Sequence, residues 1–304
     1  MHDLIIIGSG PAGMTAAVYA ARKKMDLVVL SDNIGGQALY SSAVENYLGY
    51  KYITGEELVR KFEEHVASFG IKQIFSKASA IRAEGGVFKI DTDKSGTLEA
   101  RTLIVASGKV PRRLGVPGEK EYAGRGVAYC ATCDGPMFAG MDVAVVGGGN
   151  SAFDAAVQLV KIATKVIIIE FGDHIIADEV YQEHIARAAN AKIMASTAVK
   201  EIKGDKFVKS VAVEDRKTGA VSEIPVGGVF VEIGWEPTVN FLGGLLELNN
   251  LNEIKVDSAC RTSVPGIFAA GDVTDVPEKQ IIVSAGEGAK AALSAYEYLV
   301  RSGG

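Results

Sequence analysis

The sequence is poor in cysteine and proline and contains no long apolar run, and each shortage excludes a class of protein. Three cysteines among 304 residues are too few for a disulfide-stabilised scaffold. Eight prolines and no Gly-X-Y period exclude a collagen-like chain. No apolar run reaches the roughly 18–20 residues that a membrane-spanning helix needs. No basic leader with a cleavage site precedes the apolar residues 4–7, so we expect a cytoplasmic protein.

An excess of positive charge is also absent. The net charge of −5 does not indicate the positively charged surface that binds nucleic acid. The one basic run, Arg22-Lys23-Lys24, stands where a first helix is expected to end, and positive charge is favourable at that end of a helix. The hydrophobic content of 48% and the charged content of 23% are ordinary for folded proteins, which excludes a disordered chain. The length predicts about two domains.

Glycine, by contrast, is abundant, and its 35 residues cluster at a few points. Residues 4–7 form a short apolar run, residues 8–13 read Gly-Ser-Gly-Pro-Ala-Gly, and residues 14–21 are helix formers. A second apolar run at 27–30 completes the pattern of strand, glycine turn, helix and strand, which predicts a βαβ unit. The pattern returns as a strand at 143–146, a turn at 147–152, a helix at 152–160 and a strand at 166–169, so the chain contains an internal repeat.

Two such glycine loops favour two dinucleotide sites. In this type of loop the first glycine makes the tight turn, the second admits a pyrophosphate, and the third lets helix and strand pack closely. The helix N-terminus then offers unpaired N–H groups to the phosphates, and Pro11 suits the first helical turn. The alternative is an ordinary α/β fold with glycine-rich corners.

An acidic residue follows the second strand of the second unit. Glu170 stands where a carboxylate binds the adenosine ribose hydroxyls and repels a 2′-phosphate. No arginine occurs in the residues that follow, Phe171 to His174, so the second unit is predicted to prefer NADH over NADPH. A solvated strand end is the alternative. In the first unit, Ser31 aligns with this position and Asp32 follows it.

The motif Cys130-Ala131-Thr132-Cys133 has three interpretations. A zinc site needs a second ligand pair, which Cys260 and the four histidines do not provide at ligand spacing. A purely structural disulfide is possible. We favour a catalytic dithiol, because this spacing lowers the pKa of one thiol and permits exchange through a mixed disulfide. Asp134, which follows, either exchanges a proton with the sulfurs or makes a turn, and Cys260 is interpreted as a small buried residue.

A third glycine cluster lies near the C-terminus, where Gly266–Ala270 predicts a strand that exposes Gly271 and Asp272 at its end. Between these motifs the pattern predicts an amphipathic helix over 54–70, strands over 71–105, a helix over 179–190 and strands over 193–232. The last helix is predicted from about Gly286 to Arg301.

These motifs together resemble the low-molecular-weight thioredoxin reductase family over essentially the whole chain. The resemblance rests on residues 8–13, Gly35-Gly36-Gln37, Glu45-Asn46-Tyr47, Ala106-Ser107-Gly108, residues 130–134 and 147–152, Gly271-Asp272 and Gln280. Glu170-Phe171 and the stretch from Gly271 to Ala292 are similar to the flavoprotein component of alkyl hydroperoxide reductase, without its extra N-terminal thioredoxin-like module.

The resemblance implies roles for individual residues, a discontinuous domain and a homodimer. The implied FAD-binding residues are Gly8, Ser9, Gly10, Pro11, Ala12, Gly13, Asp32, Gly35, Gly36, Gln37, Asn46, Ala106, Ser107, Gly108, Gly271, Asp272, Gln280, Ile281 and Ile282. The implied pyridine-nucleotide residues are Gly147, Gly149, Asn150, Ser151 and Glu170. Cys130 and Cys133 would be the redox pair, with Asp134 as proton donor.

The sequence therefore predicts an α/β protein with two Rossmann-like domains, the second inserted into the first. Residues 1–111 and 238–304 would bind FAD, and residues 112–237 would bind NAD(P)H and carry the cysteine pair. The expected activity is disulfide reduction, in which electrons pass from NADH through FAD and the dithiol to a thioredoxin- or glutaredoxin-like protein.

Other functions stay open at this point. A ferredoxin or a deazaflavin is an alternative electron donor, because the arginine-rich run of NADPH-using members is replaced here by Glu170-Phe171-Gly172. A peroxiredoxin system is an alternative acceptor. A non-enzymatic flavin sensor is disfavoured because it has no need of a second nucleotide loop.

Overall fold

A computed structural model describes residues 1–41 and 44–303, which form two compact units. The first unit comprises Met1–Tyr40, Val44–Val110 and the described residues from Glu236 onward. The second is built from Pro111–Trp235. The predicted domain boundaries, at 111/112 and 237/238, lie one and two residues further along the chain. Which unit binds which cofactor stays a prediction.

Strands and helices alternate through most of the chain. The strands are β1 (His2–Ile7), β2 (Leu27–Ser31), β3 (Lys72–Phe75), β4 (Ala78–Glu84), β5 (Val87–Thr92), β6 (Thr97–Val105), β7 (Lys109–Pro111), β8 (Val127–Ala128), β9 (Asp142–Val146), β10 (Lys165–Ile169), β11 (Ala191–Met194), β12 (Thr197–Gly204), β13 (Val208–Asp215), β14 (Val221–Pro225), β15 (Gly228–Val231), β16 (Trp235–Pro237) and β17 (Ile267–Ala269). The helices are α1 (Pro11–Arg22), α2 (Gly55–Ala67), α3 (Ala131–Asp134), α4 (Asn150–Leu159), α5 (Glu179–Arg187) and α6 (Ile281–Arg301), with short 3-10 helices at Gly36–Tyr40, Gly135–Phe138 and Asn240–Leu242.

The first unit is built on a seven-stranded sheet in the order β3-β2-β1-β6-β5-β4, with β17 also paired to β6. The strands β1, β2, β3, β6 and β17 run parallel, whereas β4 and β5 are antiparallel. Residues 4–7 of β1 are almost completely buried. Their continuous apolar run follows from this position, because a central parallel strand is covered on both faces. The predicted unit β1–α1–β2 is confirmed.

The second unit repeats this arrangement with a five-stranded parallel sheet in the order β11-β10-β9-β15-β8. The predicted unit β9–α4–β10 is confirmed in parallel register. Helices α4 and α5 pack on one face of the sheet, and the antiparallel sheet β12-β13-β14 packs on the other. The strand order reverses between β9 and β15, which is where dinucleotides bind in open α/β sheets. The predicted α/β class with Rossmann-like domains is therefore confirmed.

Helix α2 shows how local sequence sets an element boundary. Thr54 precedes the helix, and its hydroxyl oxygen accepts a hydrogen bond from the Glu57 amide at 3.2 Å. The Glu57 carboxylate accepts in return from the Thr54 amide, which completes a capping box. The predicted start at Thr54 is confirmed, and the helix ends at Ala67, three residues before Gly70.

The last helix differs from its prediction because two glycines lie inside it. Helix α6 begins at Ile281, five residues before the predicted start at Gly286. Gly288 faces α1, where an added Cβ would collide with the carbonyl oxygen of Ala12. Gly288 therefore permits close packing of two helices, and neither glycine marks the start of one.

This packing predicts opposite effects for two Gly→Ala substitutions in one helix. Gly288→Ala should destabilise the protein by about 1–3 kcal/mol, because the backbone of α1 cannot yield without strain. Gly286→Ala is the matched control: nothing lies within 4 Å of its Cβ position. Since alanine favours a helix interior, it should stabilise the protein by about 0.5–1 kcal/mol. Thermal unfolding measures both, and a Gly288→Ala protein as stable as Gly286→Ala would contradict the packing.

Candidate functional site

The glycine loop between β1 and α1 is shaped by backbone contacts. Gly8 has a φ of +111°, and an added Cβ would collide with the carbonyl oxygen of Ala106. A Cβ at Gly13 would collide with the carbonyl oxygen of Gly8. Gly10 is the N-cap of α1 and supplies no side-chain cap. The backbone N–H groups at the start of this helix are thus left without a side-chain acceptor.

A buried hydroxyl in the same loop also lacks a partner. Ser9 is 2% exposed, and its Oγ makes no hydrogen bond within residues 1–41 and 44–303. Its carbonyl oxygen accepts from the Gly35 amide at 2.8 Å, and a Cβ at Gly36 would lie 3.4 Å from the Cα of Gly10. Buried polar atoms are normally hydrogen-bonded. An unpaired donor beside a helix N-terminus fits the phosphate oxygens of a bound dinucleotide.

The fold brings together residues that the sequence associates with the flavin. The Asn46 side-chain amide donates to the Gln280 side-chain oxygen at 3.1 Å, although the two residues are 234 positions apart. Gln280 is the N-cap of α6, so Ile281 and Ile282 form the first turn of this helix. Gln37 lies in the 3-10 helix that begins at Gly36. The side-chain pair fixes Asn46 relative to the start of α6.

Residues 106–108 continue from the end of β6 beside the glycine loop. The Ala106 amide donates to the Ile7 carbonyl at 2.8 Å, which extends the pairing of β6 with β1. The Ser107 hydroxyl donates to the carbonyl oxygen of Thr238 at 2.7 Å. Asp32, at the corresponding edge after β2, is exposed and pairs with Lys77 at 3.2 Å.

The third glycine cluster is held by a buried carboxylate that sequence reasoning did not assign. Gly271 has a φ of +80°, and its amide donates to the Glu287 carboxylate at 2.8 Å. The adjacent Asp272 accepts from the Ser284 hydroxyl at 3.0 Å. Burial raises the pKa of Asp272 and of Glu287. The acidic residue between Gly286 and Gly288 was the available signal for this contact.

The second glycine loop, between β9 and α4, follows the same plan as the first. Gly147 has a φ of +135°, and an added Cβ would collide with the carbonyl oxygen of Glu232. Gly149 is the N-cap of α4 and again supplies no side-chain cap. Asn150 and Asp178 are joined by two hydrogen bonds, at 3.0 and 2.8 Å. Ser151 is exposed in the first turn of α4.

Glu170 lies against this loop, at the end of β10. Its carboxylate accepts a hydrogen bond from the Gly172 amide at 2.5 Å. An added Cβ at Gly148 would lie 2.5 Å from the other carboxylate oxygen, so the Glu170 side chain closely approaches the backbone of the loop. The carboxylate is therefore fixed beside the glycine loop, at the position predicted for the ribose hydroxyls.

Sequence reasoning missed a cation beside Glu170. Arg216 follows β13, and its guanidinium donates to the carbonyl oxygen of Phe171 at 2.7 Å. The same guanidinium lies 3.8 Å from the centroid of the Phe171 ring. The residues after Glu170 contain no arginine, but the fold supplies one from 45 positions away. No local sequence signal marks this contact.

The cysteine pair lies at the end of β8, where α3 begins. Cys130 and Cys133 form a disulfide, with their Cα atoms 5.3 Å apart. The Cys133 amide donates to the Cys130 sulfur at 3.2 Å. Asp134 ends α3, and its amide donates to the Cys130 carbonyl at 3.0 Å. Of the two sulfurs, that of Cys130 therefore accepts a hydrogen bond from an amide of the α3 turn.

The parallel sheet of the second unit places these groups along one edge. The carboxyl ends of β8, β9, β10 and β15 lead into the cysteine pair, the glycine loop, Glu170 and Glu232, respectively. Within residues 1–41 and 44–303, no group of three or more His, Cys, Asp or Glu side chains is placed to hold a metal ion. Nor does that part of the chain contain a helix long and apolar enough to cross a membrane.

Comparison with known protein families shows to which family the chain belongs. The sequence model of the pyridine nucleotide-disulphide oxidoreductases matches residues 2–291. The chain belongs to this family. Members with solved structures include a thioredoxin reductase from Streptococcus pyogenes, 39% identical with a TM-score of 0.93, which covers 99% of both chains. A thioredoxin reductase from Giardia duodenalis is 35% identical with a TM-score of 0.90, covering 98% of this chain and 99% of that one. The resemblance to thioredoxin reductases is thus confirmed.

Curated relatives in this family are longer proteins. An alkyl hydroperoxide reductase component of Escherichia coli is 42% identical over 306 residues, which cover 99% of this chain and 59% of that protein. A protein of Bacillus subtilis named NADH dehydrogenase is 41% identical over 300 residues, with the same shares. The chain therefore spans about three fifths of the length of these relatives.

The third cysteine of this family member is predicted to be inert. Cys260 is 1% exposed, and burial raises the pKa of its thiol to about 11. At pH 8 the thiolate is a small minority, and thiolate is the reactive form. After reduction with dithiothreitol, iodoacetamide should label Cys130 and Cys133 and spare Cys260, which mass spectrometry can show.

Denatured protein, in which all three cysteines should be labelled, is the control for that experiment. Labelling of Cys260 in the folded protein at a rate similar to that of Cys130 would contradict the buried environment.

Proposed function

We propose that this protein is an FAD-dependent disulfide reductase that passes electrons from NADH through the Cys130–Cys133 disulfide to a disulfide in a small thioredoxin- or glutaredoxin-like protein. The observation that carries the proposal is the single sheet edge of the second unit, which holds a dinucleotide loop and a CxxC disulfide together. A flavin supplies a carrier that accepts a hydride and releases electrons in pairs. The homodimer and the cytoplasmic location stay predictions.

The first unit offers the features that an FAD site requires. The uncapped start of α1 and the unpaired Ser9 hydroxyl suit the pyrophosphate. The pair Asn46–Gln280 and the first turn of α6 supply polar and apolar atoms at one place, as a flavin ring needs. Asp272, held by Ser284 beside Gly271, offers a carboxyl group to the hydroxyls of a ribityl chain. The family match supports this assignment.

The proposed reaction has two stages, which are reduction of the Cys130–Cys133 disulfide and exchange of the resulting dithiol with the partner's disulfide. Two electrons break the S–S bond and, with two protons, leave two thiols. The Cys130 thiolate then attacks one sulfur of the partner's disulfide, and the partner's other sulfur leaves as a thiolate that takes up a proton. Cys133 attacks the mixed disulfide, restores the Cys130–Cys133 bond and releases the reduced partner. Asp134, adjacent to Cys133 in the same turn, is the proposed proton donor.

The order of the two cysteines predicts which variant retains the partner. Cys133→Ser leaves Cys130 able to attack but removes the resolving thiol, so a mixed disulfide with a CxxC partner should accumulate. Cys130→Ser is the matched control and should accumulate much less. Non-reducing gels and mass spectrometry measure both. A larger yield from Cys130→Ser would reverse the assigned order.

NADH is the proposed donor because of the fixed Glu170 carboxylate. In the unsubstituted protein, kcat/KM for NADH should exceed that for NADPH. Glu170→Gln removes a charged acceptor for the ribose hydroxyls, and kcat/KM for NADH should fall about 10- to 100-fold. The same substitution removes the repulsion of a 2′-phosphate, so kcat/KM for NADPH should rise. Steady-state kinetics with both nucleotides measures these effects.

Two further variants sharpen this test. Asp173→Asn changes an exposed carboxylate near Glu170 and should leave the nucleotide preference unchanged. Arg216→Ala in the Glu170→Gln background should reduce the gain with NADPH, because Arg216 is then the cation available to a 2′-phosphate. Equal or reversed preference in the unsubstituted protein would rule out NADH as the favoured donor. Failure of NADH to bleach the flavin would favour ferredoxin or a deazaflavin.

A peroxide-reducing system is the second candidate for the electron acceptor. The name of the Escherichia coli relative, which assigns it to alkyl hydroperoxide reductase, supports this possibility. The dithiol chemistry would be the same, and only the protein that carries the receiving disulfide would differ. The partner held by the Cys133→Ser variant distinguishes the two candidates.

A further inference from the structure

A cluster of buried ions in the first unit has no part in the reaction proposed above. The side chains of Lys109 and Glu253 are 11% and 7% exposed, and they form an ion pair. Lys279, whose side chain is 25% exposed, pairs with the same oxygen of Glu253 at 3.3 Å. The other oxygen accepts a hydrogen bond from the Asn249 side-chain amide at 2.6 Å. Two lysines therefore share one buried carboxylate, which is the kind of partner that a buried charge requires.

The two lysines adjoin residues that the proposed function assigns to the flavin. Lys109 directly follows Gly108 and begins β7. Lys279 directly precedes Gln280, which is the N-cap of α6. The cluster thus joins the end of one flavin-binding segment to the start of another, although the two lysines are 170 positions apart in the sequence.

Lys279 also holds the turn that contains Asp272. Its ammonium group donates a hydrogen bond to the carbonyl oxygen of Thr274. The Thr274 hydroxyl donates to the carbonyl oxygen of Gly271 at 2.8 Å, which closes the turn around Asp272. The Asp272 carboxylate itself accepts from the Ser284 hydroxyl at 3.0 Å. The cluster is therefore in direct contact with the segment that is proposed to bind the ribityl chain.

The charges of this cluster are only partly compensated. Burial opposes the negative charge of Glu253, but hydrogen bonds from Lys109 and Asn249 hold its pKa below the ordinary value. Both lysines also interact with the Asp272 carboxyl group, whose pKa is raised by burial. Because burial disfavours a negative Asp272, the Glu253 carboxylate is the principal counterion of two lysines.

We propose that Lys109, Glu253 and Lys279 are positioning residues of the flavin site, in which the two lysines favour the reduced flavin and Glu253 limits their effect. A hydride brings two electrons and one proton, so the flavin that accepts it gains one negative charge. A nearby positive charge stabilises that state relative to the oxidised flavin, and a nearby negative charge destabilises it. The inference rests on the proposed function, because it requires FAD in the first unit.

The test is the redox equilibrium between the bound flavin and a reference dye near pH 7 without oxygen. Xanthine and xanthine oxidase supply electrons to both, and the visible absorbances give the oxidised and reduced fractions of each. All proteins are FAD-loaded and carry Cys130→Ser and Cys133→Ser, so that the disulfide takes up no electrons.

Two neutral variants should shift this equilibrium in opposite directions. Lys279→Gln keeps a donor for the Thr274 carbonyl but removes a positive charge, so the flavin should become about tenfold harder to reduce. Glu253→Gln keeps an acceptor for the lysines but removes a negative charge, so the flavin should become easier to reduce by a similar factor. A purely structural role predicts no such opposition, because both substitutions would disturb the same contacts.

Two further variants serve as matched controls. Lys279→Arg keeps the positive charge and should leave the equilibrium close to that of the unsubstituted cluster. Lys255→Gln removes an exposed lysine in the same unit and should also leave it unchanged. Lys109→Gln should act in the same direction as Lys279→Gln and replaces that variant if it does not fold. If Glu253→Gln does not fold, the comparison of Lys279→Gln with Lys279→Arg decides the question.

Three results would overturn the proposal. They are shifts of Lys279→Gln and Glu253→Gln in the same direction, shifts no larger than that of Lys255→Gln, and a Lys279→Arg equilibrium that matches Lys279→Gln. Absence of bound FAD from the unsubstituted protein would instead contradict the proposed function itself, and this inference with it. Neither NADH nor a partner protein takes part, so a wrong donor or acceptor leaves the test intact.

Discussion

The close approach of a strand end to the first residue of a glycine loop is the constraint on which both units depend. In the first unit the carbonyl oxygen of Ala106 lies where a Cβ of Gly8 would be. In the second, the carbonyl oxygen of Glu232 takes the same position beside Gly147. Each carbonyl belongs to the residue that follows the neighbouring parallel strand, β6 or β15. A side chain at either glycine would separate the two strand ends and change the start of the following helix.

This constraint places chemistry at the carboxyl edges of the sheets. Because each helix begins at a glycine without a side-chain cap, its first amides remain available to phosphates. In the second unit the same edge also carries the end of β8, which continues into Cys130. The carbonyl oxygen of Glu232, at the end of β15, shapes the glycine loop, and β15 lies between β9 and β8 in the sheet. The nucleotide loop and the disulfide therefore follow strands on either side of β15.

Local patterns in the sequence predicted most of the fold. The apolar runs of β1 and β9 and the glycine loops after them predicted both βαβ units, because central parallel strands are buried on two faces. The start of α6 was misplaced at Gly286, since glycines inside a helix look like a helix boundary until a contact such as that of Gly288 with Ala12 is known. A glycine that permits helix packing and one that ends a helix have the same local appearance.

The candidate site was predicted less completely. The difference follows from how far apart along the chain the contacting residues are. Glu170 and the cysteine pair lie directly after strands, so their positions at the sheet edge follow from the pattern. Arg216 contacts Phe171 from another sheet, and the Glu232 carbonyl meets Gly147 only because β15 and β9 are neighbours. Such contacts depend on strand order, which no short motif encodes.

The most direct test of the account is the appearance of thiols when the oxidised holoprotein meets NADH without oxygen and without a partner protein. Cys130 and Cys133 should become reactive to iodoacetamide as NADH is consumed, two thiols for each NADH, while the buried Cys260 remains unlabelled as an internal reference. NADH consumption or flavin bleaching with the Cys130–Cys133 disulfide intact would contradict electron transfer from nicotinamide to the cysteine pair.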